Sequence, residues 1–450
     1  MAGRLDTDSL LLLHDALARL EEGFSALPPL DTAPEDPAAL RQVLNEVAER
    51  LRDNYPYFHP QYAGQMLKPP HAVARLAYTL AMWINPNNHA LDGGRASSAM
   101  EKEAVAGIAH MFGWETHLGH LTSGGTMANL EALWIAGELN PGATVLASAQ
   151  AHYTHGRVCA VLKLRFEGVP TDGRGRMDIA ALERRVKAGG IGTVVATLGT
   201  TATGAVDPLP EILALRDRHG FRVHVDCAYG GYYVLADNLA PPARAAFDVI
   251  AEVDSIVIDP HKHGLQPYGC GCVLFRDPAV GSHYRHDSPY TYFSSKELHL
   301  GEISLECSRP GAAAVALWAT QKLFPLVRGG EFARRLHDCR AAALAFHGQL
   351  GTDERFIPAL PPELDIVAWA VRAKSAAESS AGAREIFARA DAAGLHLALA
   401  ELPAAFFGDP WGPGGTVTAL RSVFMKPEHR GALPAISRLL SDSTGPAAPA

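Results

Sequence analysis

From Ser98 onward the chain alternates helix-period stretches with short, continuous apolar runs: "TVLAS", "TVVATL", "FRVHVD", "SIVID" and "CGCVLF". Runs that are apolar at consecutive positions belong to strands covered on both faces. Their alternation with helices predicts an α/β fold with a mostly parallel central sheet, whose ligands sit beyond the carboxyl ends of the strands. After "SRPGAAAVALWATQKLF" the pattern changes to long Ala- and Arg-rich helices around "DIVAWAV" and "HLALA", which predicts a second, smaller α/β unit. The start, "MAGRLDTDSLLLLHDALARL", reads as an amphipathic helix, and the Pro-rich break "LPPLDTAPEDP" separates it from a second helix beginning near Ala38. The expected organisation is a helical arm (1–60), a large domain (61–321), a small C-terminal domain (322–442) and a disordered tail (443–450).

Composition narrows the classes of function. With 450 residues and 48% hydrophobic content, the chain can bury one large core and a smaller one. A net charge of -8 with scattered Lys and Arg argues against a nucleic-acid partner. No apolar run approaches membrane-spanning length, and acids flank the N-terminal leucines, so neither a membrane segment nor a signal peptide is expected. Six cysteines without a paired framework fit a reducing, cytoplasmic setting. Cys270 and Cys272 read as strand packing. The 20 histidines include no HExxH, and His152, His155, His261 and His263 lack a ligand set, so no metal centre is expected.

Four stretches carry chemistry. In "HVDCAYGGYY" an acid, Asp226, ends an apolar run and so lies at the mouth of the sheet. In "DSIVIDPHKHG" another strand ends at Asp259, and Lys262 follows behind a proline. A partly desolvated lysine there can form a Schiff base with an aldehyde. In "GHLTSGGTMANLEAL", Gly124, Gly125 and Thr126 lead into a helix, and glycines at a helix N-terminus let backbone N–H groups approach an anion. The stretch has neither the lysine of a P-loop nor dinucleotide glycine spacing, which disfavours a nucleotide. In "SAQAHYTHGR", His152 can lay a flat ring against an aromatic ligand. An amine for an aldehyde, a phosphate cup, a stacking partner and a carboxylate for a ring nitrogen are together what pyridoxal 5′-phosphate (PLP) requires. Ala228, on the side of the strand that carries Asp226, offers a small surface for the ring.

"SGGTMANLEAL", "AHYTH", "TLGTTATGAVDPL", "HVDCAYGG" and "IDPHKHG" occur in an order and spacing that resemble the group II PLP-dependent amino-acid decarboxylases, from about Tyr55 to Phe324. The resemblance implies a fold-type I, aminotransferase-like homodimer with active sites at the subunit interface. It also implies the release of CO2 and an amine from an L-amino acid. Lys262 would be the Schiff-base lysine and Asp226 the pyridinium partner; His152 would stack on the ring and Ala228 support its other face. Gly124, Gly125 and Thr126, with His261, would hold the phosphate, and Thr200 or Thr201 would lie near the ring. The proton donor would be Tyr290 or Tyr292 on the loop after the lysine, or His152. Phe58, His59 and Tyr62 in "YPYFHPQYAGQM" would line the side-chain pocket, and Arg309 in "SRPG" has structural and pocket roles open. Arg95 in "DGGRASSAME" has a surface role and a contact with an acidic side chain both open, while the aromatic wall favours a flat substrate. Two positions depart from the family pattern. Cys227 replaces a frequent alanine, and Asp259 stands where some members have Ser or Asn near the phosphate and others have Asp, which leaves its contact with the phosphate open. Aldehyde-forming oxidative decarboxylation, or another lyase or aminotransferase reaction on the same fold, is the alternative reading.

Overall fold

The computed structural model describes residues 7–28, 35–285 and 298–444. Four helices come first: α1 (Thr7–Glu22), α2 (Pro37–Leu51), α3 (Ala72–Met82) and α4 (Leu91–Met111). Strand and helix then alternate through β1 (Leu118–Thr122), α5 (Gly125–Leu139), β2 (Thr144–Ser148), α6 (Thr154–Leu162), β3 (Arg165–Val169), α7 (Ile179–Lys187), β4 (Ile191–Thr197), α8 (Leu209–His219), β5 (Arg222–Asp226), α9 (Pro241–Asp248), β6 (Ser255–Ile258) and β7 (Gly271–Phe275). These strands form a seven-stranded sheet in the order β1-β7-β6-β5-β4-β2-β3. The neighbours from β6 to β3 pair in parallel, and β7 runs antiparallel to both β1 and β6.

The five apolar runs of the sequence are β2, β4, β5, β6 and β7, and in β2, β6 and β7 every residue is buried. The two remaining strands lack that signature for physical reasons. β3 (RFEGV) lies at the sheet edge and buries only Val169. β1 (LGHLT) holds a buried His120, which is tolerated because its Nε2 lies 2.9 Å from the carboxylate of Glu131 on α5.

Helix α10 (Gly311–Leu323) packs on α3 and α4. The remaining elements are α11 (Glu331–Thr352), β8 (Phe356–Pro358), β9 (Ile366–Val371), α12 (Ala376–Ala392), β10 (Ala398–Pro403), β11 (Thr416–Val423) and α13 (His429–Thr444). Their strands make an antiparallel sheet in the order β10-β11-β9-β8, and its own core centres on Phe346, Trp369 and Phe424. The expected disordered tail begins too early at 443. Helix α13 continues through Thr444, because Ser443 is buried and its hydroxyl donates to the Leu439 carbonyl at 2.7 Å.

The exits of β4 and β5 touch backbone to backbone, since a Cβ at Gly230 would lie 2.0 Å from the Leu198 carbonyl oxygen. On the outside of the chain, helix α2, capped by Asp36, buries none of its residues and leaves Leu40, Leu44, Val47 and Leu51 exposed along one stripe. Among the described residues no helix is long and apolar enough to cross a membrane.

Candidate active site

Strands β4, β5 and β6 are adjacent, and at their carboxyl ends stand Thr197, Asp226 and, one residue beyond β6, Asp259. With the turn before α5, the loop before α6 and the segment after β6, they enclose a cavity of about 320 Å³. Its wall includes Gly124, Gly125, Thr126, His152, Thr201, Asp226, Ala228, His261 and Lys262. Chain positions from 124 to 262 converge because parallel strands deliver all their exits to one edge.

Asp226 is held by donors from three directions. His155 Nε2 lies 2.9 Å from Oδ2, Asn129 Nδ2 donates to Oδ2 at 3.4 Å, and the Ala228 N–H donates to Oδ1 at 3.0 Å. A second tier fixes the first. Asn129 Oδ1 accepts from His224 Nε2 at 2.9 Å, and His224 Nδ1 lies 2.8 Å from Ser255 Oγ. Burial alone would raise the Asp226 pKa. The His155 hydrogen bond and charge, the Ala228 N–H and the charge of Lys262 outweigh it and hold the carboxyl below the usual range. Burial pushes His224 down to about 3, so it serves as a neutral spacer.

At the neighbouring exit, Lys262 Nζ lies 3.0 Å from Asp259 Oδ2, and His261 Nε2 lies 3.5 Å from the same oxygen. His261 is oriented from its other side, where Nδ1 donates to the Cys270 carbonyl at 2.8 Å, and its ring packs on Tyr268 with centroids 4.7 Å apart. Burial lowers the His261 pKa, Asp259 counters this, and Lys262 adds to the lowering. Gly124 begins the turn into α5 at φ +156°, a conformation that side chains rarely adopt, and a Cβ there would meet the His261 ring at 3.5 Å.

His152 lines the same cavity. Its Nδ1 accepts the Thr154 N–H at 3.3 Å and contacts the Thr154 hydroxyl at 2.7 Å, so the neutral ring carries its proton on Nε2. Burial, the largest effect, lowers its pKa. Of the two adjacent threonines, Thr201 reaches the cavity wall. The hydroxyl of Thr200 instead accepts the Ala205 N–H at 3.0 Å and contacts Thr203 at 3.1 Å, which shapes the turn.

Other candidates lie apart from this cavity in the single chain. Phe58 and His59 are exposed; Tyr62 is buried, edge-on to Tyr57 with centroids 4.9 Å apart. Arg309 is buried, with Nη1 3.1 Å from Glu101 Oε1 and donating to the Leu121 carbonyl, an arrangement that ties the segment before α10 to α4 and β1. Arg95 lies exposed on α4. Tyr290 and Tyr292 lie outside the described residues. Sequence reasoning missed Asn129 and His155. The one available signal was position: Asn129 is one turn into the helix after the glycines, and His155 is three residues beyond His152.

The residues suit PLP chemically. A lysine amine, a glycine turn at a helix N-terminus and an anion fixed by N–H donors face one space of sufficient size. The sequence profile described as the pyridoxal-dependent decarboxylase conserved domain matches residues 26–372. The chain belongs to this decarboxylase family. PLP is accordingly its cofactor, and Asp226 and Lys262 fall inside the matched region. An L-tyrosine decarboxylase of Enterococcus faecium is 29% identical, over 63% of this chain and 63% of that protein. The chain thus spans under two thirds of the length of that relative. An L-aspartate decarboxylase of Thermococcus kodakarensis is 29% identical over 64% of this chain and 74% of its own. Oryza sativa TDC, solved with PLP and tryptamine, superposes with a TM-score of 0.76 at 19% identity, covering 99% of this chain and 100% of that one. This superposition gives the chain the fold-type I architecture.

Proposed function

We propose that this chain is a PLP-dependent decarboxylase that converts an L-amino acid into its amine and CO2. The observation that carries the reading is the convergence of Lys262 and Asp226, from adjacent strand exits, on one cavity with the glycine turn of α5. PLP, when bound, supplies the electron sink for the pair released as the bond between Cα and the carboxylate breaks. Lys262 would contribute the amine that holds the aldehyde. Asp226, kept anionic by His155 and Ala228 N–H, holds a proton at the ring nitrogen. The turn of Gly124, Gly125 and Thr126, with His261, would receive the phosphate, and His152 and Ala228 would hold the ring between them.

The protonation that completes the reaction falls to His152 or to a tyrosine of the 290–292 stretch. The names of the relatives support tyrosine or aspartate as the substrate class. A homodimer is supported by the bare apolar stripe of α2. A second copy would also bring pocket residues such as Phe58 and His59 to the site. Six unpaired cysteines support a reducing, cytoplasmic setting. We place the arm at 1–60, the large domain at 61–321 and the small domain from 322 through the end of α13 at Thr444.

The deciding experiment is an amino-acid panel with the PLP-loaded protein, scoring CO2, amine, ammonia and peroxide together. Stoichiometric CO2 and amine from one or two substrates is the expected result. Ammonia with peroxide would transfer the chain to the aldehyde-forming class, and no CO2 from any substrate would end the proposal.

A further inference from the structure

Asp259 places a carboxylate beside the glycine turn that would form the phosphate cup. It follows β6 directly, and its side chain is only 4% exposed. One oxygen, Oδ2, lies 3.0 Å from Lys262 Nζ; the other, Oδ1, is buried without a hydrogen-bond partner. Both crowd the first residue of α5, for a Cβ on Gly125 would meet Oδ2 at 2.7 Å and Oδ1 at 3.0 Å. The carboxylate therefore sits at the positive end of the α5 dipole, where an anion is favoured. That same end is the place where a phosphate would be favoured.

Resting on the PLP reading above, we propose that Asp259 is a resident anion of the cup, so that this chain takes up its cofactor's phosphate against a carboxylate of its own. In the empty site the carboxylate neutralises the Lys262 ammonium and the helix end together. Once a phosphate arrives, two anions share a poorly solvated corner, and their repulsion opposes binding. The residue thus stabilises the empty chain and weakens retention of the cofactor. A neutral amide of the same shape relieves the second effect and forfeits the first, which separates this role from a purely structural one. A structural role predicts that stability and binding fall together.

The test is equilibrium binding of PLP and of inorganic phosphate to the parent and to Asp259→Asn, repeated in a Lys262→Ala background where no covalent bond to the aldehyde can form. Asp259→Asn is expected to bind both anions about tenfold more tightly in both backgrounds, while its cofactor-free form melts at a lower temperature than the cofactor-free parent. Asp259→Ser serves where the amide variant does not fold, with the same direction expected. A parent that binds no PLP removes the functional reading and this inference with it. A parent that binds PLP, with neutral variants that hold it no tighter, removes the inference alone.

Discussion

Nε2 of His155 lies 2.9 Å from Oδ2 of Asp226, and both side chains are withdrawn from solvent in the first turn of α6 and at the end of β5. This contact keeps a buried carboxyl anionic. Burial works against the charge, and His155 is the largest influence working for it. A carboxyl with a depressed folded pKa adds stability above its unfolded value of about 3.9, and that stability is lost as pH falls through the folded value. His155→Phe removes the main opposition to burial, so Asp226 should titrate at higher pH. The expected result is a rate loss of about 10–100-fold and an acid limb of the pH–rate profile displaced upward, read alongside cofactor occupancy. An unchanged limb would assign His155 to packing only.

Lys262→Ala should abolish turnover and the visible absorbance of lysine-bound PLP while the fold survives. Asp226→Asn should retain the cofactor but lose about 100-fold or more in rate, because an amide cannot balance a proton on the ring nitrogen. Absorbance and CO2 release on the two proteins separate holding the cofactor from using it. A near-parental rate for Asp226→Asn would leave that residue without a chemical role.

The strand exits were legible in the sequence because each is a local event, an apolar run that stops at a reactive group. Asp226 and Lys262 are visible in this way, as are the glycines before α5. The supports were not. His155 and Asp226 are separated by 71 positions, and Asn129 and His224 by 95, so only the sheet order brings them together. β1 and β3 escaped for the opposite reason: a histidine and an exposed edge broke the apolar pattern that marks the other five strands. Arg309 stood open between two roles, and its Glu101 partner lies 208 positions away.

Gly230→Ala tests the packing under the site. Its Cβ would lie 2.0 Å from the Leu198 carbonyl oxygen and 3.0 Å from Leu364 Cδ1, and the facing Gly199 has φ +108°. The Leu364 methyl can swing aside, but the Leu198 carbonyl is backbone and cannot. The exits of β4 and β5 must separate, which should cost about 1–3 kcal/mol and displace the segment after Asp226. Urea titration checks the first effect and PLP affinity the second. Parental values for both would mean that the two exits can part without strain.

Lys426 offers a test on alkaline pH. It is buried, and its amine donates to the Tyr62 carbonyl at 2.5 Å while lying 5.2 Å from the Tyr62 ring centroid. Burial, with the charge of Lys68, brings its pKa down to about 7, against the pull of Glu428 and Cys339. The unfolded chain protonates the same amine up to about pH 10.4. Between those values the unfolded state holds a proton that the folded state lacks, so stability should rise with pH. Below about 7 the full penalty applies, and above the unfolded value it is gone. Lys426→Met abolishes this titration at the cost of one hydrogen bond, a loss that does not vary with pH. The variant's stability relative to the parent should therefore be highest at pH 6 and decline toward pH 10, with a slope on the order of 1 kcal/mol per pH unit. Urea unfolding of both proteins at pH 6, 8 and 10 measures that difference directly, and groups titrating alike in both cancel. Parallel stability curves would show that the Lys426 amine stays charged in the folded chain, held by Tyr62 in spite of its burial.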